Sequence, residues 1–135
     1  MKLWHQKLIS YLPKQQLIEL YHELCTLRGE KWECEHSVTN YVFEHKIEML
    51  IAYHYLVINE MQKRGYNPDR AWQNANYRGE ALGIQENWCD YRKPIAIALM
   101  AAHRGRMIYP EHNDEYLQEC INDLKEKGVA CIGLN

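Results

Sequence analysis

A carboxylate and an amine are the groups in this chain best suited to reaction chemistry. Glu23 sits at the margin of an apolar stripe, beside Leu20 and Leu27, and the chain opens Met1-Lys2. An α-amino group has an unperturbed pKa of ~7.7–8.0, so a useful fraction is the neutral nucleophile near pH 7. The Lys2 side chain, at ~10.4, stays protonated unless burial lowers it. An amine that attacks an electrophilic carbon and leaves an imine splits one hard step into easier ones. A carboxylate near a cationic group stabilises developing positive charge and moves protons. At the stripe's margin Glu23 is either half-buried beside a cleft or a solvated flank residue.

Histidine supplies the next candidates. His54 falls inside an apolar stripe, among Leu50, Ile51, Val57, Ile58 and Met61 at helical spacing. A buried imidazole needs partners for its ring nitrogens. A backbone carbonyl is the ordinary partner; Glu23 or the chain start would be the functional one. His5, His22, Glu23, Cys34, His36, His45 and His54 also crowd the first 54 residues. No pair among them has the spacing of a zinc motif, so neither a metal nor a cofactor is expected. A third group is basic and aromatic: Arg64, Arg70, Trp72, Tyr77, Arg78, Trp88, Arg92 and Lys93. Rings interleaved with guanidinium groups suit phosphates and unstacked bases. Equally, Trp72 and Trp88 can simply pin an irregular loop to the core.

Four helices must position these residues. One opens at Pro13 and stops at Gly29, with the stripe Leu17, Leu20, Tyr21, Leu24 and Leu27. A second runs from about Glu44 to Arg64, is ended by Gly65, and is kept from resuming by Pro68. A third has Pro94 in its first turn, an apolar edge of Ile95, Leu99 and Met100, and Gly105 as its close. The fourth opens at Asn113 or Asp114, carries Leu117, Cys120, Ile121 and Leu124, and ends at Gly128. Between the second and third lies Tyr66–Arg92, long and without period, the kind of connection that is often functional. Strand character is confined to Val38–Phe43. The fold class is all-α: one compact domain over residues 1–135, with about four main helices and a long irregular connection.

Composition limits the partners. Hydrophobic residues at 47% and charged residues at 25% describe a globular chain rather than a disordered one. The net charge of −2 argues mildly against nucleic acid. The charge is uneven, however: residues 63–106 carry eight Lys/Arg against four Asp/Glu, while 111–128 carry two against six. A basic surface can therefore coexist with an acidic last helix. Cys25, Cys34, Cys89, Cys120 and Cys131 form no C-x-x-C pair. With no leader pattern and no apolar run near the ~20 residues of a membrane span, a reduced, soluble, cytoplasmic protein is expected.

Several of these segments resemble the pyrimidine-dimer DNA glycosylases of the endonuclease V type. Leu17-Ile18-Glu19-Leu20-Tyr21-His22-Glu23-Leu24 is similar to that family's first helix, and the match gives Glu23 the role of its catalytic glutamate. His36-Ser37-Val38-Thr39 resembles a His-Val-Thr stretch before the family's central helix. Lys63-Arg64-Gly65-Tyr66-Asn67 resembles the segment that closes that helix, and Tyr77-Arg78-Gly79 the aromatic-Arg-Gly that follows. The resemblance implies the endonuclease V fold and damaged double-stranded DNA as substrate. It also implies catalysis by the N-terminal amine of Met1, or of Lys2 after Met1 removal. His22, His54, Arg64, Trp72, Tyr77, Arg78 and Arg92 are then the candidates for substrate contact.

The departures from the family are specific. The second residue is Lys2, whereas family members expose a small one, and a large second residue usually leaves Met1 in place. His22 and Thr26 stand where arginines flank the family's glutamate. A basic insertion before the central helix is missing, since only Glu30–Glu35 separate Gly29 from His36, and an acidic helix replaces an aromatic-basic tail. Together these changes thin out the phosphate contacts, which dominate DNA affinity. Two readings follow: a glycosylase with lyase activity, or a non-catalytic domain on the same scaffold that binds a nucleotide or a protein.

Overall fold

The computed structural model describes residues 3–34 and 40–129, the side chains of residues 33 and 34 excepted. Met1, Lys2, the His36–Thr39 motif and residues 130–135 lie outside the described residues. Among the described residues five helices follow one another: α1 (Lys14–Arg28), α2 (Lys31–Cys34), α3 (Ile47–Lys63), α4 (Arg92–Arg104) and α5 (Asp114–Glu126). Short 3-10 turns cover Gln6–Tyr11, Tyr41–Glu44 and Arg70–Gln73. Among the described residues strand pairing is limited to one bridge, Tyr77 to Ile84. The all-α expectation holds, and the part of Val38–Phe43 that is described enters a 3-10 turn instead.

Helix α3 is the axis of the fold. Its residues Leu50 to His54 are buried without interruption, so neighbours surround it on several sides. Chief among them are α1 and α4, with the Gln6–Tyr11 turn laid across as well. From α1 the stripe Leu17, Leu20, Tyr21, Leu24 and Leu27 packs inward. Each fully buried leucine of this kind contributes about 1.5–3 kcal/mol. Helix α5 brings Tyr116 and Cys120 to Leu3 and Trp4, closing the core over the start of the chain.

Local chemistry sets the boundaries. Pro13 is the cap of α1 rather than its first residue. Glu44 belongs to a separate 3-10 turn, so α3 starts only after Lys46. Asn113 caps α5 by accepting the amide of Tyr116 at 2.9 Å. Gly105 ends α4 with φ +66°, a left-handed conformation that costs glycine nothing. In α4 the expected apolar edge is reversed. Pro94, Ala98 and Ala101 face inward, while Ile95 and Leu99 stay about half exposed (51% and 52%).

Candidate functional site

The chain start is held by hydrogen bonds to its own backbone. Leu3 is fully buried, and its carbonyl accepts the hydroxyl of Tyr116; the carbonyl of Trp4 accepts that of Tyr53. The amide of Gln6 donates to His112 Nδ1 at 3.0 Å. Because Nδ1 accepts, Nε2 carries the ring proton and meets the Tyr41 hydroxyl. His5 stacks on His112 at 5.1 Å between ring centres. Burial pushes His112 down to about 3 and also lowers His5, so both stay neutral at pH 7.

Beside this anchor is a cleft of about 260 Å³, walled by Leu3, Trp4, Glu19, Tyr116, Cys120, Asp123 and Lys127. The ammonium of Lys127 stands 5.4 Å from the centre of the Trp4 ring. Glu19 enters from α1, and Glu23 follows one turn later on the same helix, ~6 Å along the axis. The Glu23 side chain is 15% exposed, with Oε1 3.5 Å from Lys31 Nζ. Of the two positions open to Glu23, half-buried or solvated, it takes the first. His22 is exposed and lies edge-on to Tyr21.

Among the described residues His54 bonds to neither a backbone carbonyl nor Glu23. It is fully buried, with Nδ1 3.0 Å from Arg28 Nη1 and Nε2 3.9 Å from Cys25 Sγ. A guanidinium can only donate, so Nδ1 accepts and Nε2–H points at the thiol. Burial, helped by the charge of Arg28, keeps the imidazole well below its usual range and therefore neutral. Burial likewise pushes the Cys25 thiol up to about 11, which leaves it a poor nucleophile at pH 7.

Arg28 was not among the expected site residues, yet it organises the long connection. It is fully buried, and among the described residues no carboxylate pairs with it. Its guanidinium instead donates to the carbonyls of Trp72 (2.9 Å), Asn74 (2.8 Å), Ala75 (3.3 Å) and Tyr77 (3.1 Å). It also lies 5.0 Å from the Trp72 ring. Burial lowers its pKa to about 10, so it remains a cation at neutral pH. One signal was present in the sequence. The three-and-four spacing through Tyr21 and Leu24 next reaches position 28, on the apolar face.

Arg78 returns the grip. It donates to the carbonyls of Arg28 (3.0 Å) and Gly29 (2.8 Å) and to Gln85 Oε1 (2.8 Å), and it lies 4.3 Å from the Trp88 ring. At 1% exposure it is not the surface cation its motif suggested. Trp72 is likewise buried, at 9%, between His54 and the edge of Tyr77. Arg64 is half-buried and pairs with Glu60 at 2.7 Å while donating to the Leu12 carbonyl at 2.7 Å. Arg92 is the outward member of the set: its side chain is 77% exposed and meets Asp90 at 3.3 Å. The basic, aromatic group therefore divides into an internal clamp and an exposed edge. Among the described residues no three His, Cys, Asp or Glu side chains converge as metal ligands. No helix there is long and apolar enough to cross a membrane.

Comparison with known proteins adds one match. The pyrimidine dimer DNA glycosylase family model covers residues 1–74, which takes in Glu23, His54, Arg64 and Trp72 and stops short of Tyr77, Arg78 and Arg92. No curated protein and no solved structure matches the chain. The family implies DNA as the molecule acted on. With more than half of its length matched, the chain belongs to the pyrimidine dimer DNA glycosylase family.

Proposed function

We propose that the protein is a DNA glycosylase with abasic-site lyase activity, acting on pyrimidine-dimer or abasic DNA through its N-terminal amine and Glu23. The observation that carries this reading is the anchoring of Leu3 and Trp4 in a cleft whose α1 wall is Glu19, one turn before Glu23. Two residues of chain span at most ~7 Å, so the α-amine of Met1 works within that radius of Leu3.

In the first step the neutral amine attacks C1′ of the sugar. A C–N bond forms, the glycosidic bond breaks, and its electron pair leaves with the base, which takes up a proton. Loss of the amine proton and opening of the sugar ring then give an imine. The imine acidifies the C2′ hydrogen, and its removal expels the 3′ phosphate. Glu23 stabilises the cationic sugar and moves protons, with Lys31 Nζ 3.5 Å from Oε1 orienting the carboxylate. Extrusion of the damaged nucleotide costs least where stacking is already disturbed. Arg92, Tyr77 and His22 are the proposed DNA-facing side chains. His54, Trp72, Arg64 and Arg78 support the surface from within.

The second reading, a non-catalytic binding domain, draws on Arg64 and Arg78 being spent inside the fold rather than on phosphate. Borohydride separates the two. The untagged protein mixed with an abasic-site duplex should yield a covalent adduct, which mass spectrometry maps to the N-terminal residue. An N-terminal tag should abolish trapping, because it turns the amine into an amide. Glu23→Gln should retain DNA binding and lose about 10²–10⁴-fold in base release, the usual contribution of a positioned proton-transfer group. Absence of an adduct, or full activity in Glu23→Gln, rules out the glycosylase.

A further inference from the structure

Cations gather where the Gln6–Tyr11 turn, the end of α3 and the end of α4 meet. A groove of about 410 Å³ lies between them, with Lys7 and Ser10 from the turn, Asn59 and Lys63 from α3, and Gly105 from the end of α4 in its walls. Arg104 and Arg106 flank Gly105 and, like Lys7 and Lys63, are exposed. Residues 6–12, 59–65 and 101–109 together carry five Lys/Arg against one acid, Glu60. That acid is already held by Arg64 at 2.7 Å. Among the described residues none of Lys7, Lys63, Arg104 and Arg106 has an ion pair. This end of the molecule is therefore positive in a chain whose net charge is −2.

We propose that this groove and the two arginines at its end carry the phosphate backbone of duplex DNA, in place of the contacts that α1 lacks at His22 and Thr26. The inference rests on the DNA reading above and adds to it the face that bears the phosphates. The four cations come from three separate segments around an open groove, which suits a chain of phosphates better than a single anion. Ser10 and Asn59 add a hydroxyl and an amide, groups that position a backbone without reading its sequence. None of the exposed large apolar side chains lines the groove, so it lacks the anchor round which a protein interface is built. The platform is also joined to the chain start. Gln6 donates from Nε2 to the Arg106 carbonyl at 2.9 Å and accepts the Ile108 amide at 2.8 Å. Lys7 is separated from Leu3 by at most ~14 Å of chain, so a duplex on the groove lies close to where the α-amine works. Arg104 and Arg106 stand beyond residues 1–74, so the family match by itself does not supply them.

The test is fluorescence anisotropy of the full, untagged chain with an undamaged duplex and with the same duplex carrying an abasic site. Four neutralised phosphates give log affinity a slope on log salt of about −3.6, or about 150-fold between about 50 and 200 mM. Lys7→Gln with Lys63→Gln should halve that slope and weaken both duplexes alike, by about 10-fold at low salt. Arg104→Gln with Arg106→Gln should do the same. Lys125→Gln, exposed on the acidic α5, should change neither slope nor affinity. If both double variants keep the parent's slope, DNA lies on another face and the proposal falls. A parent that binds neither duplex at low salt also overturns it. Borohydride trapping at saturating DNA keeps this question apart from the chemistry. An adduct with unaltered slopes leaves the glycosylase standing without this platform. Slopes that fall as expected with no adduct keep the platform and remove the glycosylase.

Discussion

The chain start and the long connection between α3 and α4 are both tied down by buried polar side chains, but pH affects the two ties differently. The connection is held by Arg28 and Arg78, which reach across to each other's segment and donate to main-chain carbonyls. Arg28, lowered only to about 10, keeps its charge from neutral pH downwards, so acid leaves this tie unchanged. The chain start is held by His112, Tyr41, Tyr53 and Tyr116 around His5. Two of those rings are histidines kept neutral by burial, and acid works against them. Irregular segments need side chains to satisfy their backbone groups. The chemistry of those side chains decides which segment loosens first.

The largest effect is expected at Arg28. Arg28→Met keeps much of the volume but leaves four loop carbonyls without their donor. Urea unfolding should show a loss of about 3–5 kcal/mol, the usual result of breaking a buried charged network. Arg28→Lys should fall between Met and the parent, since an ammonium lacks the planar fork. A stable Arg28→Met protein would mean that the carbonyls find other donors, and the contrast between the two ties would collapse.

Acid sharpens the comparison. The folded state keeps His112 neutral down to about 3, whereas the unfolded chain binds that proton below ~6.5. The unfolded state therefore takes up more protons as pH falls. Stability present above ~6.5 is lost progressively towards about 3, at up to about 1.4 kcal/mol per pH unit for this one group. His5 and His54 act in the same direction. His112→Gln should lower stability at pH 7, where it loses hydrogen bonds, and flatten the acid limb by about one proton's slope. If stability falls with pH as steeply in His112→Gln as in the parent, the histidine anchor is not the acid-sensitive element.

The helical frame was legible because its signals are local. Pro13, Gly29, Gly65, Gly105 and Asn113 mark ends by backbone chemistry alone, and the α1 and α3 stripes repeat at the helical period. The partial burial of Glu23 was legible from its place at the edge of such a stripe. The sequence hid the pairings made at long range. Nothing near Arg28 announces Trp72 or Tyr77, and nothing near Gln6 announces His112. The basic, aromatic connection looked like one surface because composition does not record direction: Arg92 points out and Arg78 points in. Helix α4 misled for a related reason, since periodicity finds apolar faces without saying which one is covered.

A smaller effect belongs to Tyr116, whose hydroxyl holds the carbonyl of Leu3. Tyr116→Phe should cost about 1 kcal/mol of stability, the net worth of one hydrogen bond. It should also lower borohydride trapping more than it lowers DNA binding, because it frees the segment that carries the amine while leaving the exposed Arg92 edge untouched. Equal losses in the two assays would detach the anchor from the chemistry.

The smallest effect should carry the opposite sign. Tyr109 is fully buried among Tyr41, Tyr53 and His112, and its hydroxyl has no hydrogen-bond partner among the described residues. A buried hydroxyl left unpaired costs about 1–3 kcal/mol of desolvation, while its ring gains as much from packing as phenylalanine would. Tyr109→Phe keeps the ring and removes the orphan, so it should be neutral or stabilise by about 1 kcal/mol. Tyr116→Phe removes a similar group from the same cluster and should destabilise. The pair therefore separates the worth of an aromatic ring from the worth of a hydroxyl with a carbonyl to hold. If Tyr109→Phe destabilises as much as Tyr116→Phe, the Tyr109 hydroxyl is bonded in solution, and the whole cluster rather than its outer members secures the chain start.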